Sequence, residues 1–446
     1  MKSNKTHSEN AIDLRVVLPA LRYRNYRLFF GGQGISLIGT WMQRIAMWWL
    51  VYRLSNSPLL LGVVGFTGQL PIFLLTPFAG VFADRMNRRR VLVVTQTLAM
   101  IQAFILALLV LTGAIAVWHI LSLSIFLGVI DAFDMPMRQS FMVEIVETKD
   151  LGNAIALNSS IVNSAQLLGP SIAGLLIASM GEGMCFLLNG ISYLFVIVSL
   201  LAMKITSRKM ETPDTHVLQG IRDGFSYTFG FAPIRSVLLL LALVSLIGMP
   251  YRVLMPIFAR DVLHGGPHTF GFLMGSSGLG ALGGSIYLAS RKSVLGLEKW
   301  IALAASVFGI GLIAFSLSRV FWFSLFLILL TSFGMMVQFA STNTVLQTIV
   351  DEDKRGRVMS FYAMALRGMA PFGSLLAGGL AGKIGAPNTL MIGGVSCFLG
   401  ALLFARKLPS MRKMVRPIYV RMGLVSEAAS GIRETTTLTI PTENKR

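Results

Sequence analysis

The stretch Asp131-Ala-Phe-Asp134-Met-Pro136-Met-Arg138 sets two carboxylates and a guanidinium inside an otherwise apolar run. A charge at the centre of a bilayer costs at least about 2.5–3.5 kcal/mol, so each group needs an opposite charge or a water-filled cavity. Asp134 and Arg138 stand four residues apart and can pair on one helix face. Asp131 has no such partner nearby in sequence. Depth favours Arg367, since both lie about nine residues from the same end of their apolar runs, roughly 13 Å at 1.5 Å per residue. By the same rise Arg44 and Arg252 lie roughly 24–27 Å from that end. A carboxylate so placed can exchange a proton near neutral pH. Asp131 or Asp134 is therefore a candidate carrier of a coupling proton, tuned by Arg138 or Arg367. A permanent ion pair that sets a gate is the competing reading of the same residues.

A second set has the chemistry to hold a ligand. Gln33, Thr40 and Arg44 recur at helical spacing with Leu37 and Trp48, which gives one face an amide, a hydroxyl, a cation and an indole. Tyr251, Arg252, Gln338 and Asn343 add polar groups to two later runs. These read as the lining of a cavity for an anionic or aromatic small molecule. For Trp48, Trp49 and Tyr52 an interfacial aromatic belt accounts for the residue types as well. Enzyme chemistry lacks its parts. None of the five histidines lies in an apolar run beside a second metal ligand, and Gly-Gly-Pro separates His264 from His268. No glycine-rich loop ends in Lys-Ser/Thr, so ATP-driven pumping lacks its phosphate cradle. Neither a metal nor another cofactor is expected. Cys185 and Cys397 sit apart in apolar runs, as small buried hydrophobes do.

The elements that position these groups must be membrane helices. Apolar residues are 54% and charged residues 13% of the 446, against roughly 25% charged in a soluble domain. Twelve apolar runs are long enough to cross a bilayer, from Tyr26–Tyr52 to Asn388–Phe404. The expected organisation is a cytoplasmic segment at 1–25, a six-helix bundle at 26–204, a central loop at 205–235, a second six-helix bundle at 236–404 and a disordered tail at 405–446. With the N-terminus inside, 32 of the 39 Lys and Arg residues fall on the inner side, four outside and three within spans. Both termini are thus expected in the cytoplasm. The net charge of +19 is topological, and nucleic-acid binding is not needed to explain it. In the central loop Leu218, Ile221, Phe225 and Phe229 suggest a short amphipathic helix on the inner leaflet.

The halves share a register. Shifted by 204 residues, Gly80 falls on Gly284, Val146 on Val350, Glu147 on Asp351, Gly169 on Gly373 and Gly174 on Gly378. Two similar bundles point to a transporter with its site between them.

Three motifs sharpen this. Gly80-Val-Phe-Ala-Asp84-Arg85-Met-Asn87-Arg88-Arg89-Arg90 follows the second span. It resembles the loop signature of the major facilitator superfamily, with Asn87 where a glycine is usual; asparagine also tolerates positive φ. Gly169-Pro170 with Gly174 in span five, echoed by Pro371 and Gly373 in span eleven, resembles the signature of the superfamily's antiporting exporters. Proline bends a helix and small residues admit close neighbours, which suits bundles that rock. Gly39-Thr-Trp41, Leu54 to Pro58, Asp131 to Gln139 and Pro256 to Asp261 look like the branch holding enterobactin exporters and macrolide efflux proteins. The resemblance covers about Leu21 to Pro409. It implies an all-α integral membrane protein of twelve helices that moves a drug-like or siderophore-like molecule out against protons, as a monomer in the inner membrane. It also implies an inner gate in which Asp84 meets the start of span eleven near Val358, with Gly80, Arg85, Arg88 and Arg89 around it. An importer of the same fold is the alternative.

Overall fold

The computed structural model describes residues 19–204, 225–291, 293–352 and 354–423, without the side chains of 77 and 80–85. Among them every regular element is helical. The first half holds α1 (Arg24–Ser55), α2 (Pro58–Arg85), α3 (Arg88–Leu111), α4 (Val117–Ile145), α5 (Leu151–Met180) and α6 (Glu182–Ala202). The second begins with α7 (Ala232–Val262), which is interrupted by π-helical turns at Val244–Gly248 and Phe258–Val262. It continues with α8 (Pro267–Ala289), α9 (Leu297–Leu317) and α10 (Phe321–Ile349). The eleventh rod, α11, comprises Arg355–Ala363, a π turn at Met364–Gly368 and Met369–Ile384, and α12 is Ala386–Arg421.

Ten of these rods are long and apolar enough to cross a membrane among the described residues. The other two of the expected twelve are α1, which carries Arg24, Arg27, Arg44 and Arg53, and α11, whose pieces are each short. Both pack among the ten.

The turns repeat as the sequence does. Gly181, between α5 and α6, and Gly385, between α11 and α12, have φ of 82° and 83° and are 204 residues apart. Only a residue without Cβ adopts that conformation freely. Asn56 closes α1 in the left-handed region at φ 49°, and Pro58 starts α2 two residues on.

Within the first half α1 packs on α5 and α6, α2 on α4, and α3 on α4 and α6; in the second, α10 packs on α8 and α9, and α9 on α12. Two seams join the halves, α5 on α8 and α2 on α11. Both are made backbone on backbone. A Cβ at Gly174 would lie 2.8 Å from the Cα of Gly271, and one at Gly271 would lie 2.7 Å from the Cα of Gly174. At the other seam a Cβ at Gly378 would lie 2.8 Å from the Cα of Gly62. Gly174 and Gly378 are repeat partners, so equivalent glycines build the two seams. Both pairs sit toward the end of the molecule opposite Arg24 and Arg421, here called the far end; the other is the terminal end.

The tail departs from expectation. The chain after Phe404 continues as helix to Arg421, with Met411, Val415 and Tyr419 buried at steps of four. Arg412 Nε donates to Glu298 at 2.8 Å and pins this extension to the start of α9. An apolar stripe inside a basic stretch was masked by its polar average; residues 424–446, like 1–18, lie outside the described ones. Of the expected interfacial helix, Leu218 and Ile221 lie outside too. Phe225 and Phe229 stand on a helical turn at 225–230, stack at 4.5 Å and pack edge-on against Phe361 of α11.

Candidate functional site

The two α4 carboxylates have opposite surroundings. Asp134 is buried and saturated: Thr95 Oγ1 donates to it at 2.8 Å, Gln96 Nε2 at 2.7 Å, and Arg138 pairs with it as the spacing foresaw. Asp131 is half-buried and has no hydrogen-bond partner among the described residues. The strongest basic influence on it is Arg44 of α1, ahead of Arg138. Arg367, which depth had favoured, reaches Met135 instead, one turn along α4. Depth ranks partners, but helix contact decides among them; α1 and α4 pack in one half while α11 belongs to the other. One face of α4 thus has an arginine of α1 at Asp131 and an arginine of α11 at Met135. Arg44 and Arg367 are both exposed, although the residues flanking Arg44 in α1 are buried.

Beside this face lies an amide network that the sequence reading missed. Gln43 Nε2 donates to Gln102 Oε1 at 2.8 Å, and Asn189 Nδ2 donates to Gln43 Oε1 at 2.8 Å. All three are buried, and they tie α1, α3 and α6 together. The available signal was three amides deep in apolar runs, where each must find a partner. Arg44 stacks on the Trp41 ring at 4.9 Å. Thr40 donates to Ser36 O at 2.9 Å and lies 3.4 Å from the Tyr193 hydroxyl. Gln33 is buried rather than facing open space.

In the second half Tyr251 is fully buried, and its hydroxyl bonds Ser277 at 2.8 Å and Ser332 at 2.9 Å. Arg252 is half-buried, with its guanidinium 5.8 Å from the Tyr251 ring. Asn343 is half-buried and accepts from Gln347 at 3.0 Å. Gln338 is fully buried, and neither amide atom has a partner among the described residues. It stands 204 residues after Asp134, and Thr342, 204 after Arg138, has an unpartnered hydroxyl as well. The second half keeps the position and drops the ion pair.

At the gate motif the side chains of Gly80, Asp84 and Arg85 lie outside the described residues. Arg88 Nη1 donates to Glu144 at 2.6 Å. Arg89 caps α6 by donating to Leu200 O at 2.7 Å and Leu201 O at 2.8 Å. Asn87 has φ −68°, not positive, because it serves as the N-cap of α3 and its side chain accepts from Arg90 N–H. The helix expected to meet this motif starts at Arg355, three residues before Val358. The bend motifs divide by role. Pro170 lies in an uninterrupted α5, whereas Pro371 follows the π turn of α11. Gly169 lies against Trp41 and Ile38, Gly174 joins the halves, and Gly373 lies against Leu246 of α7.

Another group links the halves at the far end. Tyr52 of α1 donates to Asp261 of α7, Arg260 Nη1 donates to Asn56 Oδ1 at 2.7 Å, and Arg260 lies 5.7 Å over the Tyr52 ring. Trp49 stacks on Phe270 of α8 at 6.1 Å.

The amino-acid sequence matches a known family over residues 17–422, described as transmembrane secretion effector. The chain belongs to that family of the major facilitator superfamily. It is 27% identical to the staphyloferrin A transporter of Staphylococcus aureus, over 85% of this chain and 95% of that one. Identity is 25% to the multidrug efflux pump Tap of Mycolicibacterium fortuitum, over 83% and 93% of the two chains. To macrolide efflux protein A of Streptococcus pyogenes it is 20%, over 84% and 94%. Among solved structures, a POT family transporter in complex with 5-aminolevulinic acid superposes with a TM-score of 0.70 at 11% identity, covering 87% of this chain and 97% of that one. A bacterial homologue of the lysosomal transporter Spinster, in an inward-facing state, gives 0.63 at 14% identity, over 92% and 99%. The family and its relatives make this chain a multi-pass membrane transporter of small molecules, on the efflux side of the superfamily.

Proposed function

We propose that the protein exports a drug-like or siderophore-like molecule across the inner membrane by alternating access, in exchange for a proton carried by Asp131. The observation that supports this reading is the contrast on α4: Asp134 is saturated by three donors and serves structure, while Asp131 is left open beside Arg44. Ionised Asp131 accepts charge or hydrogen bonds from the substrate. A proton taken up from the far side removes that acceptor, so substrate and proton exclude each other, as antiport requires. Arg44 and Trp41 offer a flat cationic face to aromatic or acceptor groups of the same molecule. The glycine seams and the Tyr52–Asp261 contact hold the far end shut, and loading proceeds from the terminal end, which the lysine and arginine bias assigns to the cytoplasm. After loading, Asp84 latches the terminal end onto the free N–H groups at the start of α11. One chain supplies both halves, so a monomer suffices.

Inside-out vesicles with an imposed pH gradient test this, loaded in turn with a lipophilic cation, a macrolide and a catecholate. Expected are proton-driven accumulation of at least one compound by the native chain, its loss in Asp131→Asn, and downhill exchange retained in that variant. Accumulation undiminished in Asp131→Asn sinks Asp131 as the carrier. Movement only in the opposite direction identifies an importer.

A further inference from the structure

On the second half, α7 and α12 border an open groove of about 170 Å³. Its walls are Leu239, Leu240 and Leu243 of α7 and Leu403 and Phe404 of α12, with Ser236 and Lys407 toward the terminal end. Arg235, Leu239 and Leu243 recur at steps of four, so Arg235 stands on the same face of α7, one turn beyond the lining residues. It is exposed, with one long bond of 3.4 Å to Phe229 O. Lys407 is also exposed, and among the described residues neither cation pairs with a carboxylate. Beyond the mouth the α12 extension exposes Arg406, Lys413, Arg416 and Arg421, and α12 contains no acidic residue. An apolar slot with Lys407 at its terminal end and Arg235 one turn beyond complements an amphiphile with an apolar chain and an anionic head.

We propose that this groove is a binding site for an anionic phospholipid of the leaflet on the terminal side. Leu239, Leu240, Leu243, Leu403 and Phe404 take part of an acyl chain, and Arg235 and Lys407 hold the headgroup phosphate. Two arguments separate this from general attraction of a basic surface. Lys407 lines the same groove as the five apolar side chains, and the groove's polar residues, Ser236 and Lys407, lie at its terminal end, where a headgroup would lie. The site is independent of the transport reading, since it shares no residue with the α4 site.

Native mass spectrometry of the full chain in detergent, titrated with phosphatidylglycerol or phosphatidylcholine, tests it. A basic residue at an anionic surface contributes about fivefold in affinity, so two contribute about 25-fold at most. Phosphatidylglycerol should therefore be retained about ten- to 25-fold over phosphatidylcholine. Arg235→Gln with Lys407→Gln should bring the two lipids level, and Leu239→Trp should weaken both by filling the slot. Lys413→Gln with Arg416→Gln should leave the preference intact, and millimolar inorganic phosphate should not displace the lipid. Equal retention of both lipids by the native chain overturns the proposal. So does a preference that survives loss of Arg235 and Lys407, falls equally on loss of Lys413 and Arg416, or yields to free phosphate. If the double variant does not fold, Lys407→Gln alone decides on an expected loss of about fivefold.

Discussion

Gly174→Ala should open the far end. The new Cβ would sit 2.8 Å from both the Cα of Gly271 and the carbonyl oxygen of Pro267. Carbon atoms in ordinary contact lie about 3.5–4.0 Å apart, so α5 and α8 must separate by roughly 0.7 Å or more at that level. Both obstacles are backbone, and no rotamer change relieves them. Overpacking of this kind costs about 1–3 kcal/mol, and the absence of relief puts this site toward the upper end. The cost falls only on the state in which the seam is closed. It therefore shifts the balance toward far-end-open molecules by about five- to 150-fold. Spin labels at the far ends of α5 and α8, read by pulsed dipolar spectroscopy, should show a longer-distance population absent from the native chain. Gly152→Ala is the control, since a Cβ there meets nothing within 4 Å. An unchanged distance distribution in Gly174→Ala, with the protein folded, would refute the view that glycine contact closes the seam.

Three further outcomes follow from the same geometry. Asp261→Ala removes the acceptor of Tyr52, but both Asp261 and Arg260 are exposed, so the far end should loosen by only about 0.5–1 kcal/mol, well below the glycine effect, in the same distance measurement. Gln43→Leu leaves Gln102 and Asn189 each short of one bond inside the first half; melting in detergent should show a loss of about 1–3 kcal/mol, and a Tm unchanged from the native chain would remove the network from the account of stability. Asp134→Ala strands Arg138 and should cost about 3 kcal/mol with poor recovery of folded protein, whereas Asp131→Asn should melt like the native chain; equal stability of the two variants would abolish the distinction drawn between the carboxylates.

Helix positions were legible because a membrane demands long apolar runs, and the charge bias marked their ends. The 204-residue register was legible because the same glycines recur where backbones must touch. What escaped was partnership across helices. Asp131 was matched to Arg367 by depth, but depth is one coordinate of three, and Arg44 acts on it instead because its helix packs in the same half. The Gln43–Gln102–Asn189 network escaped because each amide is isolated in its own run. The helical end of α12 escaped because Met411, Val415 and Tyr419 are spaced correctly but outnumbered by polar neighbours. Asn87 was judged by what it tolerates, whereas its position before α3 made it a cap.

Among the described residues all three π turns lie in the second half, at Val244–Gly248, Phe258–Val262 and Met364–Gly368. A π turn spreads the backbone ladder and gives a helix a joint that an unbroken one lacks. The repeat counterparts of the first and third, 40–44 in α1 and 160–164 in α5, run without interruption, even through Pro170, and that of the second falls at 54–58, where α1 ends and α2 begins. The bundles are thus unequal as machine parts. The first acts as a stiff lever, and the second carries the elbows on which any stroke must turn.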